Sequence, residues 1–155
     1  MEVNISGSER IKDPRGIVYL ANHASMFDIW ALFAYLPGQL RFIGKKELTA
    51  IPVFGWIWKY SGNIPMDRRS PKGFAMSLEV AYQTIRDGRC LILFPEGTRT
   101  RDGKLGEFKR GSFSLALKSR ATIVPITING SFARMKKGSF VIRPGPIDVI
   151  VHEPI

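Results

Sequence analysis

Three short apolar runs, Gly16 to Ala21, Cys90 to Phe94 and Ile123 to Ile128, constrain this fold more than any other feature of the chain. Each has the length of a strand and too little polar alternation for a sheet face open to water, so each reads as a strand covered on both sides. Helical patterns lie between them. Ile29 to Leu36 is apolar and is stopped by Pro37-Gly38, and Ser70-Pro71 supplies an N-cap with proline at the first helical position. Phe74, Leu78, Ala81 and Ile85 then recur at helical spacing up to Asp87-Gly88, and a further helix is expected over Ser112 to Ser119. Shorter strands are expected at Val3 to Ile5, Arg41 to Ile43, within Gly62 to Arg69, at Val141-Ile142 and at Val149 to Val151. Pro125 argues that its strand lies at an edge or carries a bulge. Strands alternating with helices imply an α/β fold: a single domain with a mixed, centrally parallel sheet flanked by helices. The 155 residues suffice for one such domain with a real core.

The first run ends abruptly at Asn22-His23, with Ser25 where a helix N-cap would sit and Asp28 in the first helical turn. On one regular helix, side chains five residues apart diverge by roughly 140° and cannot touch. Across a strand-to-helix junction they can. A histidine held by a carboxylate is a general base with its orienting acid, suited to activating a hydroxyl for attack on a carbonyl. The second run is followed by Glu96-Gly97-Thr98-Arg99. In α/β sheets the active crevice lies outside the carboxyl ends of the strands, so these two clusters would share a pocket if their strands are neighbours. Gly97 allows close backbone approach to a ligand, and Thr98 and Arg99 can donate to anionic oxygens. Arg68 is a further guanidinium candidate.

Charge points the same way. Of the net +10, residues 41–120 carry +9, with 16 Lys and Arg against 7 Asp and Glu. That segment calls for an anionic partner: nucleic acid, an anionic membrane or a phosphorylated substrate. No apolar run approaches the ~18 residues of a spanning helix. The start, Met1-Glu2-Val3-Asn4, lacks the pattern of a signal peptide. Cys90 is the only cysteine, which excludes an internal disulfide and suits a reducing compartment. With His23 and His152 the only histidines, no metal-ligand cluster is expected.

Ile51 to Tyr60 is unusually aromatic. As a helix it is apolar nearly all round, so either the core or lipid covers it. Trp56, Trp58 and Tyr60 beside Lys59 have the make-up of an interfacial anchor, and a buried core helix fits equally well.

Taken together, these blocks resemble the glycerolipid acyltransferase family, most closely bacterial 1-acyl-glycerol-3-phosphate acyltransferases. The first block, NHxxxxD, is Asn22 to Asp28, the second is similar to Gly62 to Arg68, and the third is Phe94-Pro95-Glu96-Gly97-Thr98-Arg99 with Phe108-Lys109-Arg110-Gly111 downstream. The fourth resembles Ile123-Val124-Pro125-Ile126. The resemblance implies that His23, helped by Asp28, deprotonates the acceptor hydroxyl, which attacks an acyl thioester of coenzyme A or acyl carrier protein. It implies an acceptor site of Arg68, Glu96, Gly97, Thr98, Arg99 and Lys109, no metal or other cofactor, and peripheral attachment to the cytoplasmic face of the membrane. It also implies membrane-associated helices ahead of the first block and after the last strand, so residues 1–155 read as the acyltransferase domain without them.

Three alternatives remain open on the residues. Another acceptor, such as glycerol-3-phosphate, a different lysophospholipid or a lyso-ornithine lipid, would use the same chemistry. A non-catalytic basic lipid-binding domain would carry the same charge. A nucleic-acid module is opposed by the aromatics, which cluster in one apolar stretch and do not interleave with basic residues as stacking platforms would.

Overall fold

The computed structural model describes residues 2–67 and 69–155. Seven strands form one sheet: β1 (Val3–Ser6), β2 (Val18–Ala21), β3 (Leu40–Lys45), β4 (Ile64–Met66), β5 (Cys90–Leu93), β6 (Ile123–Asn129) and β7 (Ile147–Val151). Their order across the sheet is β1-β7-β6-β2-β5-β3-β4. Every neighbouring pair is parallel except β6 with β7, so the expected mixed, centrally parallel sheet is what forms. The helices are α1 (Phe27–Tyr35), α2 (Phe54–Tyr60), α3 (Pro71–Arg86), α4 (Arg110–Ser119) and the single turn α5 (Ser131–Arg134).

The all-apolar runs arise because β2 and β5 feed two cores at once. Tyr19, Ala21, Cys90 and Ile92 pack into one core together with Ala31 and Leu32 of α1 and Trp58 of α2. Val18, Leu20, Leu91 and Leu93 pack into the other with Ala81 and Ile85 of α3 and Leu115 of α4. Successive strand side chains point to opposite faces, so a strand between two helical layers can afford no polar position. Burial raises the pKa of the Cys90 thiol, which donates to Pro14 O at 3.1 Å.

Two expectations are corrected here. Pro125 lies inside the sheet, between β2 and β7, with Leu20 opposite it in the parallel ladder. Its carbonyl accepts from His152 N at 3.0 Å, one residue beyond the end of β7. On that side the antiparallel ladder starts only at Ile126, so the missing N–H costs no interior strand bond. Val141-Ile142 forms no strand and is exposed. Further along, Ser70 caps α3 by accepting from Gly73 N at 2.9 Å.

The aromatic stretch is divided between core and exposed surface. Trp58 is 6% exposed and belongs to the core, whereas Trp56 is 75% exposed. A side chain at Gly44 would sit 2.6 Å from the Trp58 ring, so this close fit of helix on strand depends on the glycine. Ile51, Val53, Ile57 and Tyr60 are exposed with Trp56. No described helix is long and apolar enough to cross a membrane.

Candidate active site

Because β2 and β5 are parallel neighbours in register, Val18 beside Leu91 and Leu20 beside Leu93, their carboxyl ends open on the same edge of the sheet. Asn22-His23 leaves one strand there and Pro95-Glu96 the other. Asn22 acts as a side-chain extension of the sheet. Its amide donates to Ile128 O at 2.9 Å and accepts from Ile128 N at 2.7 Å, which anchors the turn to β6.

Past Asn22 the chain folds back on itself. His23 Nδ1 lies 2.9 Å from Asp28 Oδ2, and that same oxygen accepts the backbone N–H groups of Ala24 at 2.6 Å and Ser25 at 2.8 Å. Asp28 is thus both the cap of the junction and the partner of the imidazole, and it is wholly buried. A carboxylate that accepts from Nδ1–H leaves Nε2 as the basic nitrogen. The ring is fixed a second time by stacking on Phe94, with centroids 3.8 Å apart and planes 13° from parallel. Only 12% of the His23 side chain is exposed.

Ser25 lies one residue before the N-cap position of α1, which Met26 occupies, and its hydroxyl is hydrogen-bonded elsewhere than to the imidazole. Its buried hydroxyl donates to Met135 O at 2.9 Å and accepts from Phe27 N at 3.3 Å.

The loop after β5 is tied directly to His23. Glu96 Oε1 accepts His23 N at 2.7 Å, Glu96 Oε2 accepts Gly106 N at 2.8 Å, and Thr100 N donates to His23 O at 3.0 Å. Glu96 therefore spends both oxygens on backbone and holds the loop against His23. Gly97 adopts φ +72°, and a Cβ there would come within 3.2 Å of Lys109 Nζ, which places Lys109 over this turn. Lys109 N also donates to Pro95 O at 2.9 Å. Thr98 is exposed and Arg99 half-buried. Arg68 lies outside the described residues.

Beside His23 opens a cavity of about 550 Å³, walled by Leu105, Phe108, Phe113, Ile126 and Phe132. Its size is that of a small-molecule pocket. Among the described residues no group of three or more His, Cys, Asp or Glu comes together as a metal site would require.

Sequence reasoning passed over Phe94 as a stacking partner, Gly106 as a donor and Lys137 altogether. Lys137 Nζ donates to Thr98 Oγ1 at 2.8 Å and to Arg99 O at 3.3 Å. Phe94 stands inside the third block and could have been suspected. Gly106 and Lys137 are joined to the site only by contacts across the fold, and no local pattern marks them.

The Acyltransferase family model matches residues 2–129, more than four-fifths of the sequence. The chain belongs to the Acyltransferase family. Among its relatives, the chloroplastic 1-acyl-sn-glycerol-3-phosphate acyltransferase LPAT1 of Arabidopsis thaliana is 36% identical over 99% of this chain and 44% of its own length. The 1-acyl-sn-glycerol-3-phosphate acyltransferase of Borreliella burgdorferi is 30% identical over 83% of this chain and 51% of its own length. The crystal structure of the 1-acyl-sn-glycerophosphate (LPA) acyltransferase PlsC from Thermotoga maritima superposes with a TM-score of 0.87 at 32% identity, covering 99% of this chain and 61% of that one. This acyltransferase chain therefore spans about half the length of the curated relatives it matches.

Proposed function

We propose that this chain carries the catalytic domain, residues 1–155, of an acyltransferase that moves a fatty acyl group from acyl-coenzyme A or acyl carrier protein to the free hydroxyl of 1-acyl-glycerol-3-phosphate, giving phosphatidic acid. The observation that carries the reading is the 2.9 Å contact of His23 Nδ1 with Asp28 Oδ2 at the mouth of an apolar cavity. His23 Nε2 takes the proton of the acceptor hydroxyl as its oxygen attacks the thioester carbonyl. When the tetrahedral intermediate collapses, the carbon–sulfur bond breaks and the imidazolium returns the proton to the departing thiolate. Asp28 keeps the ring in place and stabilises its transient charge.

Arg68, Gly97, Thr98, Arg99 and Lys109 form the acceptor site in this reading, with guanidinium groups gripping phosphate, and Glu96 holds their loop in position. The apolar cavity wall suits an acyl chain. The thioester brings its own leaving group, so the reaction as written uses no cofactor. The exposed apolar residues Ile51, Val53, Trp56, Ile57 and Tyr60, with Lys59 among them, fit peripheral docking on the cytoplasmic face of an anionic membrane.

The test is thiol release from an acyl thioester with and without lysophosphatidic acid. Release that depends on lysophosphatidic acid supports the proposal. Release indifferent to every phosphorylated glycerolipid acceptor, or none at all, refutes it.

A further inference from the structure

Residues 135–137 reach two segments that adjoin His23. Met135 O accepts the Ser25 hydroxyl, and Lys137 donates to Thr98 and Arg99 in the loop after β5. That loop is fastened to His23 through Thr100 N. Lys137 is thus joined by an unbroken chain of contacts to the catalytic backbone, although it lies beyond residue 129, outside the stretch the family model matches.

Its surroundings are one-sided. Arg101, Arg99 and Lys45 all stand close enough to repel its charge. Among the described residues, none of these four cations forms an ion pair with a carboxylate. Partial burial and the three neighbouring cations hold the Lys137 ammonium below the ordinary lysine range. Like charges gathered without an acid destabilise the free protein, and an anion placed among them removes that cost. An ammonium has three N–H donors. Lys137 spends two on Thr98 and Arg99 and has one for a ligand.

We propose that Lys137 is a specificity-determining residue of the acceptor site, completing with Arg99, Arg101 and Lys45 a four-cation cradle that selects a phosphomonoester over a phosphodiester. A phosphomonoester carries about −1.5 to −2 at pH 7 and three acceptor oxygens. A phosphodiester carries a single charge and gains less from each added cation. The proposal rests on the acyltransferase reading and adds to it a selecting residue that no sequence block contains.

The experiment is calorimetric binding of three probes: a short-chain 1-acyl-glycerol-3-phosphate, its phosphate methyl ester and coenzyme A. The proteins are the wild type, Lys137→Gln, Lys137→Arg and Lys118→Gln, the last a control for net charge at an exposed position of α4. The wild type should prefer the monoester. Lys137→Gln should bind it roughly tenfold to a hundredfold more weakly, as expected for a lost charge-assisted hydrogen bond, with little change for the methyl ester or coenzyme A. Lys137→Arg should recover most of the preference. In turnover, the acceptor KM should rise by the same factor while kcat falls much less. The wild-type acceptor KM should also climb with pH below the usual lysine range, and arginine should remove that climb.

Lys137 loses the role if Lys137→Gln binds the monoester like the wild type, behaves like Lys118→Gln, or loses coenzyme A instead. Equal wild-type affinity for the two esters would overturn the cradle as well. A wild type that binds the monoester but transfers no acyl group would sink the acyltransferase reading alone, and the binding comparison still decides Lys137.

Discussion

Around His23 the backbone and one oxygen of Asp28 are held by hydrogen bonds, whereas among the described residues the cations around Lys137 form no ion pair with a carboxylate. The first region is buried, with an aromatic ring against the imidazole and three donors on one carboxylate oxygen. The second is a rim of exposed or half-buried cations. On the proposed function the contrast separates two tasks. A base must hold one orientation through the reaction, so its supports belong to the protein. A charge grip is completed by its ligand, so the protein leaves it unbalanced until the ligand arrives.

The largest effect should come from breaking the satisfied region. His23→Ala should lower acyl transfer by about 10²–10⁴ in a thiol-release assay while the circular dichroism spectrum stays native. Asp28→Asn should cost less, since the proton acceptor remains and only its hold weakens. Near wild-type turnover in the alanine variant would remove the dyad from the mechanism.

Arg99→Ala tests the unbalanced region. The acceptor KM should rise by roughly tenfold or more, as a guanidinium–phosphate contact is lost, with a smaller fall in kcat. An unchanged KM would place the phosphate elsewhere.

A second charge-dependent surface sharpens the contrast further. Liposome binding should require anionic lipid, weaken with salt and fall several-fold in Trp56→Ala, whose ring is exposed. Trp58→Ala should instead destabilise the protein by about 3–5 kcal/mol, because that ring fills core space. Equal binding to neutral and anionic vesicles would contradict the docking assignment.

The smallest effect is expected at Ser25. Its hydroxyl serves Met135 O and Phe27 N, so Ser25→Ala should lose about 1 kcal/mol in denaturant melts and keep most of its turnover. Mixing with acyl thioester alone should release no stoichiometric burst of thiol. A burst with an acylated Ser25 peptide would replace direct transfer by an acyl-enzyme route.

The strand-to-helix junction was legible because apolar character stops at Asn22-His23, and that stop is a local event. The adjacency of β2 and β5 was not, since paired residues such as Val18 and Leu91 lie 73 positions apart and no local pattern gives strand order. Pro125 misled for a related reason: the rule for proline in sheets depends on where the neighbouring strand ends, which lies in residues 151–152. Of the two readings of the aromatic stretch, the buried one holds for Trp58 and fails for Trp56, which is exposed. Side chains two apart on a helix point about 200° from one another, so Trp58 can face the core only if Trp56 faces away. Lys137 reaches Thr98 across 39 positions of sequence, and nothing near it in the chain announces the contact.

The pairing of β1 with β7 carries a consequence for the order of folding. Val3 lies opposite Ile147 in a parallel ladder, and Asn4 bonds Asp148 across 144 positions. Loop-closure entropy must be met before such a contact yields any return, and sheets rich in distant parallel pairs form slowly. On the ribosome the first strand must wait for nearly all of the domain to be synthesised before its partner exists. Until then Val3 to Ser6 is an unpaired strand with alternate apolar side chains, a segment that a chaperone would shield and an aggregate would recruit.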